Sequence, residues 1–348
     1  MDSHSIHKPG SQTGRQSIGV HPRTVALLAD CGGQIGLGHL RRVLVLGKAF
    51  AEVGLRARIA TPEGTGNAQV EAAGLEPLPW PKRPRDLARH DLLVVDHYGV
   101  DAATMAAWRK ATWFRLVIDD LADHPLDADL ILNQNLFAAE LNYDAIASCP
   151  VLRGPDYALV DSAFHAASLE RKGTSGRVLV SFGGSDDGTL ALKVVRALRR
   201  AGFDGPVDAV VSPLRNTLPE LLEAAARPSA ALAVHRGATM AALMADAFLY
   251  VGGAGTTIFE AAVADLAMLP IGIAENQRRS VEALCRLGIE ALMGTDEDRI
   301  EKALRRVLDN PAHARLRNVV APDGVRRVID CVFARLALRD RSEPSLCL

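Results

Sequence analysis

Between residues 24 and 287 the chain alternates short, continuously apolar runs with longer stretches in which apolar side chains recur every three or four residues. Residues 25–28 form such a run, and Leu40, Val43, Leu44, Leu46 and Phe50 then follow at helical spacing. The pattern predicts strands at 24–30, 57–60, 92–96, 114–118 and 129–133, with helices at 39–53, 67–73 and 101–110. A second series places strands at 177–182, 207–211, 231–234, 248–251 and 268–273, and helices at 187–201, 218–226, 238–246, 256–264 and 278–287. Strands alternating with helices make an α/β protein with parallel sheets, here in two similar halves.

The segment between the halves is rich in turn and polar residues. It carries Gly154-Pro155-Asp156-Tyr157 and ends in Arg171-Lys172-Gly173-Thr174-Ser175-Gly176, a linker composition. The expected organisation is a disordered tail over 1–22, an N-terminal Rossmann-like domain over 23–155, a hinge over 156–176, a C-terminal Rossmann-like domain over 177–320, and a C-terminal helix and tail over 321–348. A ligand cleft is expected between the domains.

Composition narrows the function classes. With 348 residues, 40 Lys and Arg against 41 Asp and Glu, the formal charge is −1, which gives no global attraction to nucleic acid or an anionic membrane. No apolar run reaches membrane-spanning length, and the polar first residues lack the apolar stretch of a signal peptide, so a cytoplasmic protein is expected. The five cysteines lack C-x-x-C or His/Cys ligand spacing, which favours reduced thiols over disulfides or structural zinc. Cys31 reads as a small core or loop residue rather than a nucleophile.

The densest chemistry lies where the first strand gives way to the first helix: Gly36-Leu37-Gly38-His39-Leu40-Arg41-Arg42. Glycines let a ligand approach the backbone, and a helix N-terminus favours anions, so His39 stands at a candidate active site. The dinucleotide fingerprint is not met, since Arg41 occupies the third glycine position and the strand at 58–60 ends at Thr61 without a ribose-binding acid. The plainer alternative is a tight turn at Gly36 and Gly38 with His39 as a cap or surface residue. Polar residues do recur at other strand ends, in Asp96-His97-Tyr98 and in Asp119-Asp120.

In the second half, Phe182-Gly183-Gly184-Ser185-Asp186 and Gly252-Gly253-Ala254-Gly255-Thr256-Thr257 each follow an apolar strand and precede a helix. Both offer bare N–H groups to phosphate oxygens, with Gly183, Gly184, Gly255 and Thr256 as the nucleotide-binding candidates. Glu260 lies close enough to its helix start to accept two hydroxyls of a ribose, or simply to favour the helix dipole. Asn276 and Gln277 are suited to hydroxyl and acetamido groups, or to loop and cap chemistry. No P-loop pattern occurs.

Taken together, Gly32 to Arg42, Val94-Val95-Asp96-His97-Tyr98, Ile118-Asp119-Asp120, Phe182 to Asp186 and Ala274-Glu275-Asn276-Gln277 resemble the motifs of the pseudaminic-acid pathway UDP-sugar hydrolases, relatives of the MurG-type GT-B glycosyltransferases. The resemblance implies a GT-B-like fold and release of UDP from UDP-2,4-diacetamido-2,4,6-trideoxy-β-L-altrose or a close relative. It implies His39 as catalytic base, Tyr98 and Asn276 as substrate contacts, with Gly36, Gly38, Arg42 and Gln277 beside them, and Glu260 as the ribose-binding acid. The chain departs from the family at Cys31-Gly32-Gly33, where small hydroxyl residues are usual, and at Gly252-Gly253. The implied reaction is an inverting attack of water on C1, with glycine-loop N–H groups holding the diphosphate and neither cofactor nor metal required. The alternatives are a GT-B glycosyltransferase passing the sugar to an acceptor, and a non-catalytic nucleotide-sugar sensor with no need for His39.

Overall fold

The computed structural model describes residues 23–32, 37–169, 176–212, 216–227, 231–237 and 239–342. The expected tail over 1–22, Gly36 of the first glycine turn, and the polar end of the linker at 170–175 lie outside these residues.

Seven strands, β1 (Thr24–Ala29), β2 (Arg56–Ala60), β3 (Glu76–Pro77), β4 (Leu92–Asp96), β5 (Phe114–Ile118), β6 (Leu130–Asn133) and β7 (Val151–Arg153), form one sheet in the order β3-β2-β1-β4-β5-β6-β7. Six more, β8 (Arg177–Ser181), β9 (Val207–Val211), β10 (Leu232–Arg236), β11 (Ala247–Gly253), β12 (Ala267–Gly272) and β13 (Leu292–Met293), form a second in the order β10-β9-β8-β11-β12-β13. Every pairing is parallel. Both sheets thus reverse direction beside their first strand, at β1/β4 and at β8/β11, and it is at such switch points that open sheets leave a crevice outside their carboxyl ends.

Helices α1 (Gly38–Glu52), α2 (Asn67–Ala72) and α3 (Ala102–Trp108) belong to the first sheet. Helix α1 forms because Leu40, Val43, Leu46 and Phe50 share one face and are almost fully buried against β1 and β2, each contributing about 1.5–3 kcal/mol of transfer free energy. Helix α4 (Ser162–Leu169) falls inside the stretch expected as hinge, and its Phe164 and Ala167 pack with Met240 and Met244 on the second sheet's side. Helices α5 (Thr189–Arg200), α6 (Pro219–Ala226), α7 (Met240–Asp246), α8 (Thr257–Val263), α9 (Arg278–Arg286) and α10 (Glu297–Asp309) connect and flank the second sheet. Helix α11 (Gly324–Ser342) then crosses back, burying Val328, Ile329, Val332 and Leu336 with Leu152 and Val25 of the first core. Among the described residues, no helix is long and apolar enough to cross a membrane.

Candidate active site

The carboxyl ends of the two sheets face each other across a cleft of about 750 Å³, within the range of pockets that enclose a small organic ligand. The approach is close: a Cβ placed on Gly184 would lie 3.1 Å from the Leu37 side chain, and one on Gly38 would lie 4.0 Å from the Thr256 hydroxyl. The glycine turns of both halves therefore line one space.

On the first sheet's side the chemistry is built around two strand-end carboxylates. Asp96 closes β4 with its side chain 1% exposed, and its Oδ1 lies 2.5 Å from His39 Nδ1 in the first turn of α1. One turn further along α1, Arg42 donates from Nε to Asp96 Oδ2 at 2.9 Å and from Nη2 to Asp96 Oδ1 at 2.8 Å. The same guanidinium donates to both oxygens of Asp120, each at 2.8 Å. Asp120 accepts further from the Tyr98 hydroxyl at 3.1 Å and from Asn135 Nδ2 at 2.7 Å. Burial pushes the Asp120 carboxyl up, but the charge and hydrogen bonds of Arg42 outweigh it and hold the group well below the usual carboxylate range. Burial first, and then Asp120, push the Tyr98 phenol up.

This network fixes the histidine tautomer. A buried carboxylate only accepts, so the short bond to Asp96 requires the hydrogen on Nδ1, and the 2.9 Å approach of Arg42 Nη2 to the same nitrogen is a meeting of two donors that share Asp96. Nε2 lies on the ring edge away from the Asp96 contact. The His39 ring is further held edge-on against Tyr98, at 4.6 Å between centroids and 86° between planes. Tyr98 is 40% exposed and lines the cleft.

On the second sheet's side, Gly183, Gly184, Gly255 and Thr256 all line the cleft. Gly252, at the switch point, is required by packing, since a Cβ there would overlap the Ser181 carbonyl of the neighbouring strand. Asp186 faces the other way, accepting from the backbone of Gly188, Leu190 and Ala191 at the start of α5. Asn276 is exposed in the cleft, while Gln277 spends its carbonyl oxygen on the Ile273 N–H at 2.9 Å.

Glu260 sits one turn into α8, set back from the cleft lining, with 13% of its side chain exposed. Its Oε2 is buried without a hydrogen bond, and the nearest cation is Arg41 Nη1 at 4.0 Å. Burial raises the Glu260 carboxyl above its ordinary range, and Arg41 only partly offsets this.

Sequence reasoning singled out His39, Gly38, Arg42, Tyr98, Gly183, Gly184, Gly255, Thr256, Asn276 and Gln277, and the fold gathers all of them around one cleft. It gave no role to Asp96, Asp120 or Asn135, which organise His39, Arg42 and Tyr98. The signal available was the repetition of polar strand ends at Asp96 and Asp120. Their neighbours turn away: His97 accepts from the Gly99 N–H and stacks near Trp80, and Asp119 accepts from the Tyr143 hydroxyl and the Ala122 N–H. Among the described residues, no group of three or more His, Cys, Asp or Glu side chains could hold a metal ion.

The architecture is shared with glycosyltransferases of the GT-B class. MurG of Acinetobacter baumannii superposes over 90% of this chain and all of its own with a TM-score of 0.59 at 14% identity. Phytolacca americana UGT2, complexed with UDP-2fluoro-glucose and pterostilbene, gives 0.59 over 93% of this chain and all of its own at 12% identity, and the spinosyn rhamnosyltransferase SpnG, complexed with thymidine diphosphate, gives 0.54 over 92% and all of its own at 15%. The chain has a GT-B fold of two parallel-sheet α/β units.

In sequence it resembles the UDP-2,4-diacetamido-2,4,6-trideoxy-beta-L-altropyranose hydrolase of Campylobacter jejuni, with 24% identity over 188 residues. The match spans half of this chain and 65% of the relative. No family model matches the chain.

Proposed function

We propose that the protein hydrolyses a UDP-sugar at its anomeric carbon, releasing UDP and the free sugar. The observation that carries the reading is the buried Asp96–His39 pair at the cleft, whose Nδ1 contact supports Nε2 as the base. Water attacks C1 as Nε2 takes its proton, the C1–O bond breaks, and its electron pair leaves on the β-phosphate oxygen with inversion at C1. Asp96 balances the charge that His39 gains in the step, and a paired carboxylate also keeps the ring oriented.

The two sides of the cleft take different parts of the substrate in this reading. Residues 23–155 hold the sugar and water beside His39, Tyr98 and Arg42, with Asn276 reaching across. Residues 177–320 hold the nucleotide, with the loops at Gly183-Gly184 and Gly255-Thr256 at the diphosphate and Glu260 at the ribose. The buried Oε2 of Glu260, which makes no hydrogen bond, supports that last assignment, because a buried acceptor without one is costly and ribose hydroxyls would supply it. The resemblance to the Campylobacter hydrolase supports a 2,4-diacetamido-2,4,6-trideoxy sugar, or a close relative, as the glycosyl group, and a step in pseudaminic acid biosynthesis.

The test is to incubate the purified protein with a panel of UDP-linked diacetamido sugars in ¹⁸O-enriched water, with no acceptor. UDP release with the label on the sugar and none in UDP is the expected result. Label in the UDP phosphate would show attack at phosphorus, and turnover dependent on an added acceptor would show a glycosyltransferase. Tight UDP binding without turnover of any sugar would leave a nucleotide-sugar sensor.

A further inference from the structure

Four arginines line the cleft among the described residues, and three are engaged. Arg42 is bound by Asp96 and Asp120, Arg278 pairs with both oxygens of Glu275, and Arg279 lies over the Phe137 ring at 5.9 Å. Arg41 makes no side-chain hydrogen bond among the described residues. It is 36% exposed, and its one ionic neighbour is Glu260, 4.0 Å away, too long for a hydrogen bond. It stands on α1, less than one turn from His39, yet its neighbour belongs to the opposite half. It therefore reaches from the side that carries the base to the side that carries the glycine loops.

We infer that Arg41 is the countercharge for the nucleoside diphosphate: its guanidinium leaves the neighbourhood of Glu260 when ribose hydroxyls occupy that carboxylate, and pairs with the phosphate oxygens. The inference deepens the reading of the cleft as a UDP-sugar site and rests on it. The chemistry requires such a group, because cleavage of the C1–O bond leaves its electron pair on the β-phosphate, and the glycine N–H groups bring partial charge but no full one. A guanidinium presents several donors in one plane and matches phosphate oxygens in pairs. The weak contact with Glu260 makes the move inexpensive, since a partly exposed ion pair at that distance contributes little. Arg42 cannot serve in the same way without abandoning the carboxylates of Asp96 and Asp120.

The experiment compares UDP with uridine by calorimetric titration against the full-length wild type, Arg41→Ala and Arg41→Lys. Both ligands carry the ribose diol, so any effect passed through Glu260 moves both alike. Arg41→Ala is expected to weaken UDP roughly ten- to a hundredfold, the scale of a charged hydrogen-bonded contact, while uridine changes less than about threefold. Arg41→Lys, which keeps the charge but not the fork, should fall between, and the rate of UDP release should drop in the same order. An unchanged ratio of UDP to uridine affinity in Arg41→Ala would overturn the assignment and leave Arg41 as a neighbour of Glu260. Failure of the wild type to bind UDP at all would sink both this assignment and the reading beneath it.

Discussion

Replacing Asp96 by Asn probes the proposed catalytic pair with the smallest possible change of shape. The carboxylate accepts from His39 Nδ1 at 2.5 Å and from two Arg42 nitrogens at 2.9 and 2.8 Å, inside a side-chain environment 1% exposed. An amide offers one acceptor and one NH₂ group. With the amide oxygen at the Oδ1 position, His39 Nδ1 and Arg42 Nη2 keep their acceptor but the NH₂ meets Arg42 Nε; turned the other way, the NH₂ meets Arg42 Nη2 and His39, forces Nδ1 to accept and sends the ring hydrogen to Nε2. In the first orientation a neutral amide no longer balances the charge His39 gains, and in the second the nitrogen meant to take the water's proton is already protonated, so Nε2 is a poorer base either way. Turnover should fall by roughly 10² to 10⁴, the scale of lost general-base catalysis, with KM little changed because no substrate contact is removed. Breaking a buried ion pair costs about 3–5 kcal/mol, but Arg42 keeps Asp120 at 2.8 Å and retains the new amide oxygen as an acceptor, so a loss of about 2–3 kcal/mol is expected. That leaves a folded protein for the assay. UDP release without acceptor and urea unfolding should be measured for the single variants and for Asp96→Asn combined with His39→Ala. If the carboxylate acts through the histidine, the two losses in turnover will fail to add. Full additivity, or wild-type turnover in Asp96→Asn, would refute the dyad.

Three further outcomes follow from the site. Glu260→Ala should weaken UDP and uridine alike by about tenfold or more; and because burial raises the Glu260 carboxyl while ribose hydroxyls favour its ionised form, UDP should bind more tightly as pH rises from the ordinary carboxylate range, near 4.3, through the raised value, with proton release detectable in buffers of different ionisation enthalpy. Asp120 carries the opposite sign: its folded-state carboxyl lies below the unfolded value near 3.9, so its stabilising contribution is complete above that value and is lost as pH falls through the folded one, and the stability gap between wild type and Asp120→Asn should narrow below about pH 4 in urea titrations. Exhaustive EDTA treatment should leave turnover intact, because Asp96 and Asp120 already spend their oxygens on Arg42, His39, Tyr98 and Asn135; loss of activity restored by a divalent ion would defeat this.

The fold was legible where burial on both faces leaves a continuous apolar run, as in β1, β4, β8 and β11, because a half-buried strand or an amphipathic helix would interrupt the run with polar residues. Strands β3, β7 and β13 escaped sequence reasoning because edge pairings of two or three residues, such as Glu76–Pro77, leave no period to detect. Sequence reasoning also passed over α10, although Asp296 caps it and Ile300, Ala303, Leu304 and Val307 share its buried face. In the site, the glycine turns and His39 were legible from local order. The partnership of Arg42 with Asp96 and Asp120, 54 and 78 residues away, was not, since it depends on β1, β4 and β5 lying side by side in parallel register. Nor does local sequence tell that Tyr98 faces the cleft while His97 faces Trp80.

One topology used twice carries different chemistry at its two switch points, and under the proposed function that difference would orient the substrate. At β1/β4 and the adjoining β5 the strand ends present carboxylates, and Arg42 neutralises one of the two charges of Asp96 and Asp120. A diphosphate placed at those strand ends would meet the remaining carboxylate charge, while Arg41 of the same half reaches toward Glu260 on the other. At β8/β11 the turns present Gly183, Gly184 and Gly255, while Asp186 spends its carboxylate on the start of α5, Glu275 is paired with Arg278, and Glu260 is withdrawn one turn into α8. Under the proposed function, anion binding is favoured on the second sheet's side, and a nucleotide sugar crossing the cleft would have its diphosphate at the glycine turns and its sugar toward His39. In that orientation the face of the anomeric carbon remote from the leaving oxygen turns toward the first sheet, which is where a base must hold its water for inversion.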